Sequence, residues 1–374
     1  MKLLPHKVLL FCVFILVMIG LVMVYSSSAI VAGSMNDDAF YFVKRQLVFI
    51  FLSMGAFAFA LYIHPDLYRR YSYPLYIFML LLLASLLIPG IGKSAGGAAR
   101  WISLGAFRLQ PGEIFKFALI VYLAKSLAKK ASLMTLFPVG IVPHIFIPGI
   151  AMVLLMLEPD FGTTFMVATL TFVMLFIGGA PVTYLLLGIL VAIPVALQMI
   201  ANSPYRLERV IAFLDPWSHR QNEGYQVVES LMSFGSGEFW GLGLGQGPGK
   251  LHFLPAAHTD FILAIIGEEF GFIGISVIII CFLLIVICGF KIALSLKDPF
   301  QIYLAAGLTT LMTLQAIFNA FVVMGLVPTK GITLPFVSYG GSSLIMSCFM
   351  IGVLVRLAQE STNSADPNLK EATS

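Results

Sequence analysis

Phe261-Ile-Leu-Ala-Ile-Ile-Gly-Glu-Glu-Phe-Gly-Phe-Ile-Gly-Ile-Ser-Val-Ile-Ile-Ile-Cys-Phe-Leu-Leu-Ile-Val-Ile-Cys-Gly-Phe290 is the stretch on which the fold turns. Apart from Glu268, Glu269 and Ser276 it is apolar throughout. At about 1.5 Å per helical residue it crosses the ~30 Å hydrocarbon layer of a bilayer with length to spare. Immediately before it stands a polar segment, Tyr205–Asp260, which carries Arg206, Glu208, Arg209, Glu223, Glu229 and Glu238. A polar segment of this length is rarely a mere connection between spans. It delivers a carboxylate, Asp260, to the point where the chain enters the apolar phase, a sensible address for chemistry on a lipid-linked substrate.

Composition agrees. The chain is 59% hydrophobic and 11% charged over 374 residues, against roughly 25% charged in soluble domains, so it reads as an integral membrane protein. The formal net charge of +4 is modest and its basic residues sit in scattered short loops, which argues against a nucleic-acid partner. Cys12, Cys281, Cys288 and Cys348 all lie inside apolar runs and read as small hydrophobes, not as disulfides or a zinc site. Lys2 and Lys7 precede the run Val8–Val24. That run exceeds the ~7–15-residue core of a signal peptide, so it is expected to stay as a first span.

Windows of about 20 apolar residues mark the others. The expected spans are Val8–Ser28, Leu47–Ile63, Tyr73–Ile88, Ile114–Ala128, Phe137–Leu157, Phe161–Ile177 and Val182–Ile200, then, beyond the long loop, Phe261–Phe290, Gln301–Gly325 and Ser338–Leu357. The expected fold is an all-α polytopic membrane protein of about ten transmembrane helices, with a large extracytoplasmic loop, 205–260, between helices 7 and 8. One domain would cover residues 1–360, followed by a disordered cytoplasmic tail, 361–374. One set of short loops carries Lys2/Lys7, Arg69/Arg70, Lys125/Lys129/Lys130, Lys291/Lys297 and Arg356 with few acids. The positive-inside rule then places both termini in the cytoplasm and the 205–260 loop outside. No repeat of fixed period is evident.

An ionisable residue at membrane depth costs several kcal/mol unless it meets a partner or water, so the polar residues at the outer span ends are informative. Before the fourth span, Arg100, Trp101, Gln110, Glu113 and Lys116 follow one another. Pro111 suits a first helical turn, Glu113 complements the helix N-terminus, Lys116 can pair with Glu113, and Trp101 can anchor at the interface. The alternative is a head-group pocket, favoured by Lys116 lying among Phe115, Phe117 and Ala118. In Leu157-Glu-Pro-Asp-Phe-Gly-Thr-Thr164, Asp160 can cap the next helix, with Thr163 and Thr164 bonding its first turn; Glu158 has no evident structural role. Lys44-Arg45-Gln46 opens the second span, where a basic pair opposes the helix dipole. It either snorkels to the interface or binds phosphate.

Gly241-Leu-Gly-Leu-Gly-Gln-Gly-Pro-Gly-Lys250 is not a nucleotide loop. Leu244 occupies the first glycine position of a Walker pattern ending at Lys250, and Leu251 stands where Ser or Thr is required. The run reads as a flexible, close-packed loop. In His258-Thr259-Asp260, Thr259 or Asp260 can cap the eighth helix, His252, His258 and Asp260 can approach a metal, or Asp260 can serve as a general base. On a continuous helix Glu268 would project roughly 80° from Asp260 and face its cavity, with Glu269 pointing away. The last loop, Gly325-Leu-Val-Pro-Thr-Lys-Gly-Ile-Thr-Leu-Pro-Phe-Val-Ser-Tyr-Gly-Gly-Ser-Ser343, reads as an irregular re-entrant segment. It offers Lys330, Ser338, Ser342 and Ser343 either for packing or for a ligand.

Together these segments resemble the SEDS family (shape, elongation, division, sporulation). Pro328-Thr-Lys-Gly-Ile-Thr-Leu-Pro-Phe-Val-Ser-Tyr-Gly-Gly-Ser-Ser343 is similar to its signature. So are Leu254-Pro-Ala-Ala-His-Thr-Asp-Phe261 with Gly267-Glu-Glu269, Lys44-Arg-Gln46, Arg100-Trp-Ile, Gln110-Pro-Gly-Glu113 with Lys116, Glu158-Pro-Asp-Phe-Gly162 and Gly224-Tyr-Gln226. The Pro-Thr-Lys-Gly-Ile-Thr-Leu-Pro form resembles the cell-division members more than the elongation members. Ala256-Ala257 stands where an acid-containing pair is usual, and Gly112 where Ser is common.

The resemblance implies ten helices and a peptidoglycan glycosyltransferase that polymerises lipid II into a growing glycan strand outside the cytoplasmic membrane. It also implies Asp260 as the essential carboxylate. The implied partners are a class B penicillin-binding transpeptidase and other divisome membrane proteins. In such a reaction Asp260 would take the proton of an acceptor hydroxyl. The leaving undecaprenyl pyrophosphate would be met by Lys44, Arg45, Arg100, Lys116, Lys250 and Lys330 or by a divalent cation, Mg2+ or Mn2+; no cofactor is otherwise expected. A lipid II flippase, a small-solute carrier, an elongation-type polymerase and a divisome scaffold are the rival readings. The crowding of charges at one face favours the enzyme over a transport path.

Overall fold

The computed structural model describes residues 4–90, 92–95, 98–105, 107–202, 204–222, 224–250, 257–328 and 331–365. The chain builds α1 (Pro5–Asn36), α2 (Tyr41–Tyr62), α3 (Pro65–Leu86), α4 (Pro111–Lys130), α5 (Val142–Leu157), α6 (Phe161–Ile177) and α7 (Val182–Ala201). Then come α8 (Pro204–Leu214), α9 (Tyr225–Gly237), α10 (Ile262–Ser295), α11 (Pro299–Val323) and α12 (Gly341–Ala365). Several begin with proline in the first turn, where its missing N–H has no helical partner to lose: Pro5, Pro65, Pro111 and Pro299. Asp298 caps α11 through the Phe300 N–H at 3.3 Å.

Among the described residues six helical stretches are long and apolar enough to cross a membrane, and two shorter apolar helices, α6 and most of α7, accompany them. The protein is a multi-pass membrane protein. α3 and α4 have 22 and 20 residues but carry more charge: Asp66, Arg69 and Arg70 in α3, and Glu113, Lys116, Lys125, Lys129 and Lys130 in α4. All ten expected spans are helical, with shifted ends. The second begins at Tyr41, so Lys44, Arg45 and Gln46 lie in its first two turns.

The expected helical architecture carries one addition: between α3 and α4 an antiparallel sheet forms from β1 (Gly92–Ala95), β2 (Ala98–Leu104) and β3 (Phe107–Leu109), in the order β1-β2-β3. Ile102 pairs with Leu109 and Ser103 with Arg108, across a turn in which Gly105 has φ +66°. Its short alternation of small, branched and basic residues was too brief to stand out as a strand signal. At the tail, α12 runs to Ala365, past the expected boundary at 360, and the Ser361 hydroxyl donates to the Ser295 carbonyl at 3.1 Å, docking the start of the polar tail on the end of α10. Residues 366–374 lie outside the described residues.

The packing pairs α1 with α10, α2 with α12, α3 and α11 with α4, α10 with α11, and α5 with α6. α7 is anchored near its start, by buried Leu185 and by Tyr184 against Phe137 at 5.1 Å; most of its length is exposed. One end of the bundle carries a polar ring. Arg69 pairs with Asp298, His64 with Glu360 at 3.2 Å, and Gln301 donates to Glu360 at 2.9 Å. The other end gathers the sheet, α8, α9, the glycine run and residues 331–340. There Gly20 of α1 lies against the last loop so closely that a Cβ would sit 2.6 Å from the Val337 carbonyl.

Candidate functional site

The site begins with the turn 257–261. The N-cap of α10 is Phe261, one residue beyond Asp260, and it makes no side-chain cap bond. The turn is held by residues from other elements. Ser338 donates to the Thr259 carbonyl at 2.6 Å and accepts the Leu334 N–H at 2.9 Å. The Tyr339 N–H donates to the His258 carbonyl at 2.9 Å. Asn319, on α11, donates to the Asp260 carbonyl at 2.8 Å and to the Ile332 carbonyl at 2.7 Å. These bonds satisfy the backbone of two irregular segments where helix and sheet do not.

The Asp260 side chain is thereby left to face Gly331, where an added Cβ would stand 3.3 Å from its Oδ2. Burial pushes the Asp260 carboxyl up to about 6, and the positive Arg100 works against that rise. His258 lies between rings, its centroid 4.5 Å from Phe42 and 5.7 Å from Tyr339. Burial lowers its imidazole to about 4, so it stays neutral.

Arg100, on β2, is the cation of the cluster. It donates to the Pro159 carbonyl at 2.8 Å, and its Nε lies 3.6 Å from Asp160. Asp160 caps α6 as its position predicts. It accepts from the Thr163 N–H at 3.2 Å and the Thr163 hydroxyl at 2.7 Å, while the Thr164 hydroxyl donates to the Asp160 carbonyl. Glu158, only 3% exposed, is the unusual member. Burial first, then the nearby Asp160 charge, push its carboxyl up to about 8, with Arg100 opposing. A neutral acid, a helix-capping carboxylate, a guanidinium and a poised carboxylate thus share one neighbourhood.

At the start of α4, Lys116 donates to Glu113 at 2.7 Å, with side chains 5% and 12% exposed. Gln315 of α11 approaches the other Glu113 oxygen at 3.5 Å. The expected pair is present and buried. Gln110 contributes its backbone N–H to the Ser342 hydroxyl at 3.1 Å, and Ser342 in turn donates to the Arg108 carbonyl at 3.2 Å. Ser343 and Thr333 share a bond of 2.9 Å. The hydroxyls of Ser338, Ser342 and Ser343 therefore stitch the last loop to its neighbours. Trp101 is half-buried on β2.

The basic pair on α2 divides. Lys44 pairs with Asp38 at 2.8 Å and is well exposed. Arg45 donates to the Tyr41 hydroxyl at 2.9 Å and acts electrostatically on Tyr339, so it alone of the pair adjoins the Asp260 turn. Gln46 is buried in α2. Because residues 257–261 form a turn, a helical projection from Asp260 to Glu268 does not apply; Glu268 accepts the Gly249 N–H at 2.9 Å. Close packing of the glycine run is observed. Lys330, His252, Glu223 and the side chain of Lys250 lie outside the described residues. Among the described residues no three His, Cys, Asp or Glu side chains converge as metal ligands.

Sequence reasoning missed Asn319, Gln315, Thr333, Tyr339 and Phe42. Two polar residues, Gln315 and Asn319, spaced one turn apart in the apolar α11 were the available signal.

Beside this site lies an apolar cavity of about 150 Å³ lined by Phe165, Phe318, Val322, Val327, Pro328 and Ile332. A multi-pass helical membrane protein with a carboxylate-centred polar cluster at one end of its bundle is the class that the fold and site define. Residues 6–363 match the cell cycle protein family of FtsW, RodA and SpoVE, and the chain belongs to that family. It is 42% identical over 339 residues to a probable peptidoglycan glycosyltransferase FtsW of Geobacter sulfurreducens, covering 91% of each chain. Its fold matches a chain of a peptidoglycan synthase complex that coordinates polymerization and crosslinking, with a TM-score of 0.79, 28% identity and coverage of 94% and 97%. It also matches the rod shape determining protein RodA of Thermus thermophilus, with a TM-score of 0.68, 26% identity and coverage of 94% and 96%.

Proposed function

We infer that the protein is a peptidoglycan glycosyltransferase of septal wall synthesis, polymerising lipid II into glycan strands. The observation that carries this reading is the 42% identity, across 91% of both chains, with a protein described as that enzyme. The division type is supported over the elongation type by the lower 26% identity to RodA. Both termini face the cytoplasm and the Asp260 end faces outward at the septum, beside a class B penicillin-binding transpeptidase and other divisome proteins. The likeness to a chain of a synthase complex supports that partner.

In this reading Asp260, half-buried and ionised above about pH 6, takes the proton of the acceptor GlcNAc 4-hydroxyl as that oxygen attacks the donor MurNAc anomeric carbon. The bond to undecaprenyl pyrophosphate breaks with inversion. The pyrophosphate leaves as an anion and needs positive charge, not a proton. Arg100 acts electrostatically on Asp260 and Arg45 on Tyr339, which bonds the Asp260 turn, and both can meet that charge, as can Lys250 and Lys330. A divalent cation, Mg2+ or Mn2+, would supply further positive charge for the leaving group. The apolar cavity beside Ile332, about 150 Å³, has room for only a short piece of a polyprenyl chain.

Purified protein reconstituted with lipid II and its transpeptidase partner tests the reading. Glycan strands are expected from the wild type and none from Asp260→Ala. Leaflet exchange of lipid II without strands would establish the flippase reading in its place.

A further inference from the structure

α10 is broken. Gly271 has φ +62° and ψ −156°, a conformation outside any helix, and two consecutive helical hydrogen bonds are replaced there. Phe272 N–H does not reach back to Glu268 but donates to the Glu238 carbonyl at 3.0 Å, and Ile273 N–H donates to the Phe239 carbonyl at 3.4 Å. The freed carbonyls of Glu268 and Glu269 accept from Leu242 N–H at 2.9 Å and Gly243 N–H at 3.0 Å. Segment 238–243 is thus a backbone splint laid across the break, and it supplies the partners that buried backbone requires.

The fit allows no side chain. A Cβ on Gly241 would stand 2.2 Å from the Glu269 carbonyl oxygen, and one on Gly271 would stand 2.4 Å from the Gly241 nitrogen. Glu269 accepts from Ser26 of α1 through both oxygens, at 2.6 and 2.7 Å, so the break is also tied to α1. Glu268 is 1% exposed, and its carboxylate is cradled by the other end of the same run. It accepts the Gly249 N–H at 2.9 Å, and a Cβ on Gly247 would come within 2.5 Å of its Oε2.

We propose that Glu268 is a positioning residue: by holding the Gly249 N–H it keeps the glycine run seated across the break in α10, and so sets the place of the half-helix that leads from Asp260. The short half, Ile262–Phe270, is what this splint orients. The carboxylate touches no substrate. It acts through the loop, by supplying the acceptor oxygen that the Gly249 N–H requires. Glutamine supplies that acceptor and alanine does not.

The activity arm of the test rests on the polymerase reading; the exchange arm does not. Full-length protein in nanodiscs is compared as wild type, Glu268→Ala, Glu268→Gln and Gly241→Ala by amide hydrogen exchange and by lipid II polymerisation. In Glu268→Ala, exchange of peptides covering residues 238–250 and 268–273 is expected to rise by about tenfold or more, with α2, α4 and α12 unchanged. The maximal polymerisation rate is expected to fall by about tenfold, with half-saturation by lipid II within about twofold of wild type. Glu268→Gln is expected to restore protection and most of the rate. Gly241→Ala, which breaks the splint from the loop side, is expected to reproduce the alanine signature and serves if Glu268→Ala does not fold. Wild-type exchange in Glu268→Ala or Gly241→Ala, or a glutamine variant no better than alanine, overturns the proposal. A wild type that makes no strands removes the polymerase reading and leaves the splint to be judged on exchange.

Discussion

The Asn319 side-chain amide donates to the Asp260 carbonyl at 2.8 Å while its second hydrogen reaches the Ile332 carbonyl at 2.7 Å. One residue on α11 therefore clamps the turn that presents Asp260 to the loop that faces it. Replacing it with leucine leaves the buried Ile332 carbonyl without a donor, at a cost of about 1–3 kcal/mol, and frees the Asp260 turn. Asn319→Leu is expected to lower the thermal unfolding temperature and to cut the maximal rate by about tenfold, as misplaced catalytic groups do. A variant with wild-type rate and stability would show that the clamp is dispensable.

The pH dependence of polymerisation follows from Asp260. A general base works ionised, and this carboxyl ionises at about 6. Activity is therefore expected to hold above that value and to fall about tenfold per pH unit below it. Arg100 opposes the rise caused by burial, so Arg100→Ala should move the acid limb to higher pH. It should also lower the plateau by about 10²–10³, as loss of a leaving-group cation does. An unmoved acid limb in Arg100→Ala would separate the two residues.

Glu158 governs the opposite limb. Its carboxyl is neutral until about pH 8. Above that it adds a negative charge beside Asp160 and Arg100, where the departing pyrophosphate is expected. The wild-type rate should decline above pH 8, and Glu158→Gln should abolish that decline. Identical alkaline limbs would remove Glu158 from this account.

The Glu113–Lys116 pair is buried on both sides. Lys116→Met leaves Glu113 as an uncompensated charge and is expected to destabilise the protein by about 3–5 kcal/mol, read as a large fall in unfolding temperature. Glu113→Gln combined with Lys116→Met should recover much of that loss. A double variant as unstable as Lys116→Met would mean that the pair holds the fold through more than its charge balance.

Much of this molecule was legible one residue at a time. Runs of apolar residues place the helices because an unpaired backbone cannot lie in lipid, and that constraint is local. Asp160 as a cap and Glu113 with Lys116 as a pair were likewise readable, because their partners lie within one turn. Asp260 stood out by its position between a polar loop and an apolar run. The roles of His258, Thr259, Ser338 and Ser342 were not readable, because each bonds to an element far away in sequence, such as Ser338 to Thr259. A helical projection from Asp260 does not carry through to Glu268, since the turn before α10 is held by bonds from Asn319, Ser338 and Tyr339, and the break at Gly271 by bonds to residues 238–243. Periodicity is a property of continuous helices, and the site was built where helices stop. Which strand, loop or helix end supplies the missing partner there is settled by how the bundle packs, so only the folded chain could bring Arg100, Asn319 and Gly331 around one carboxylate.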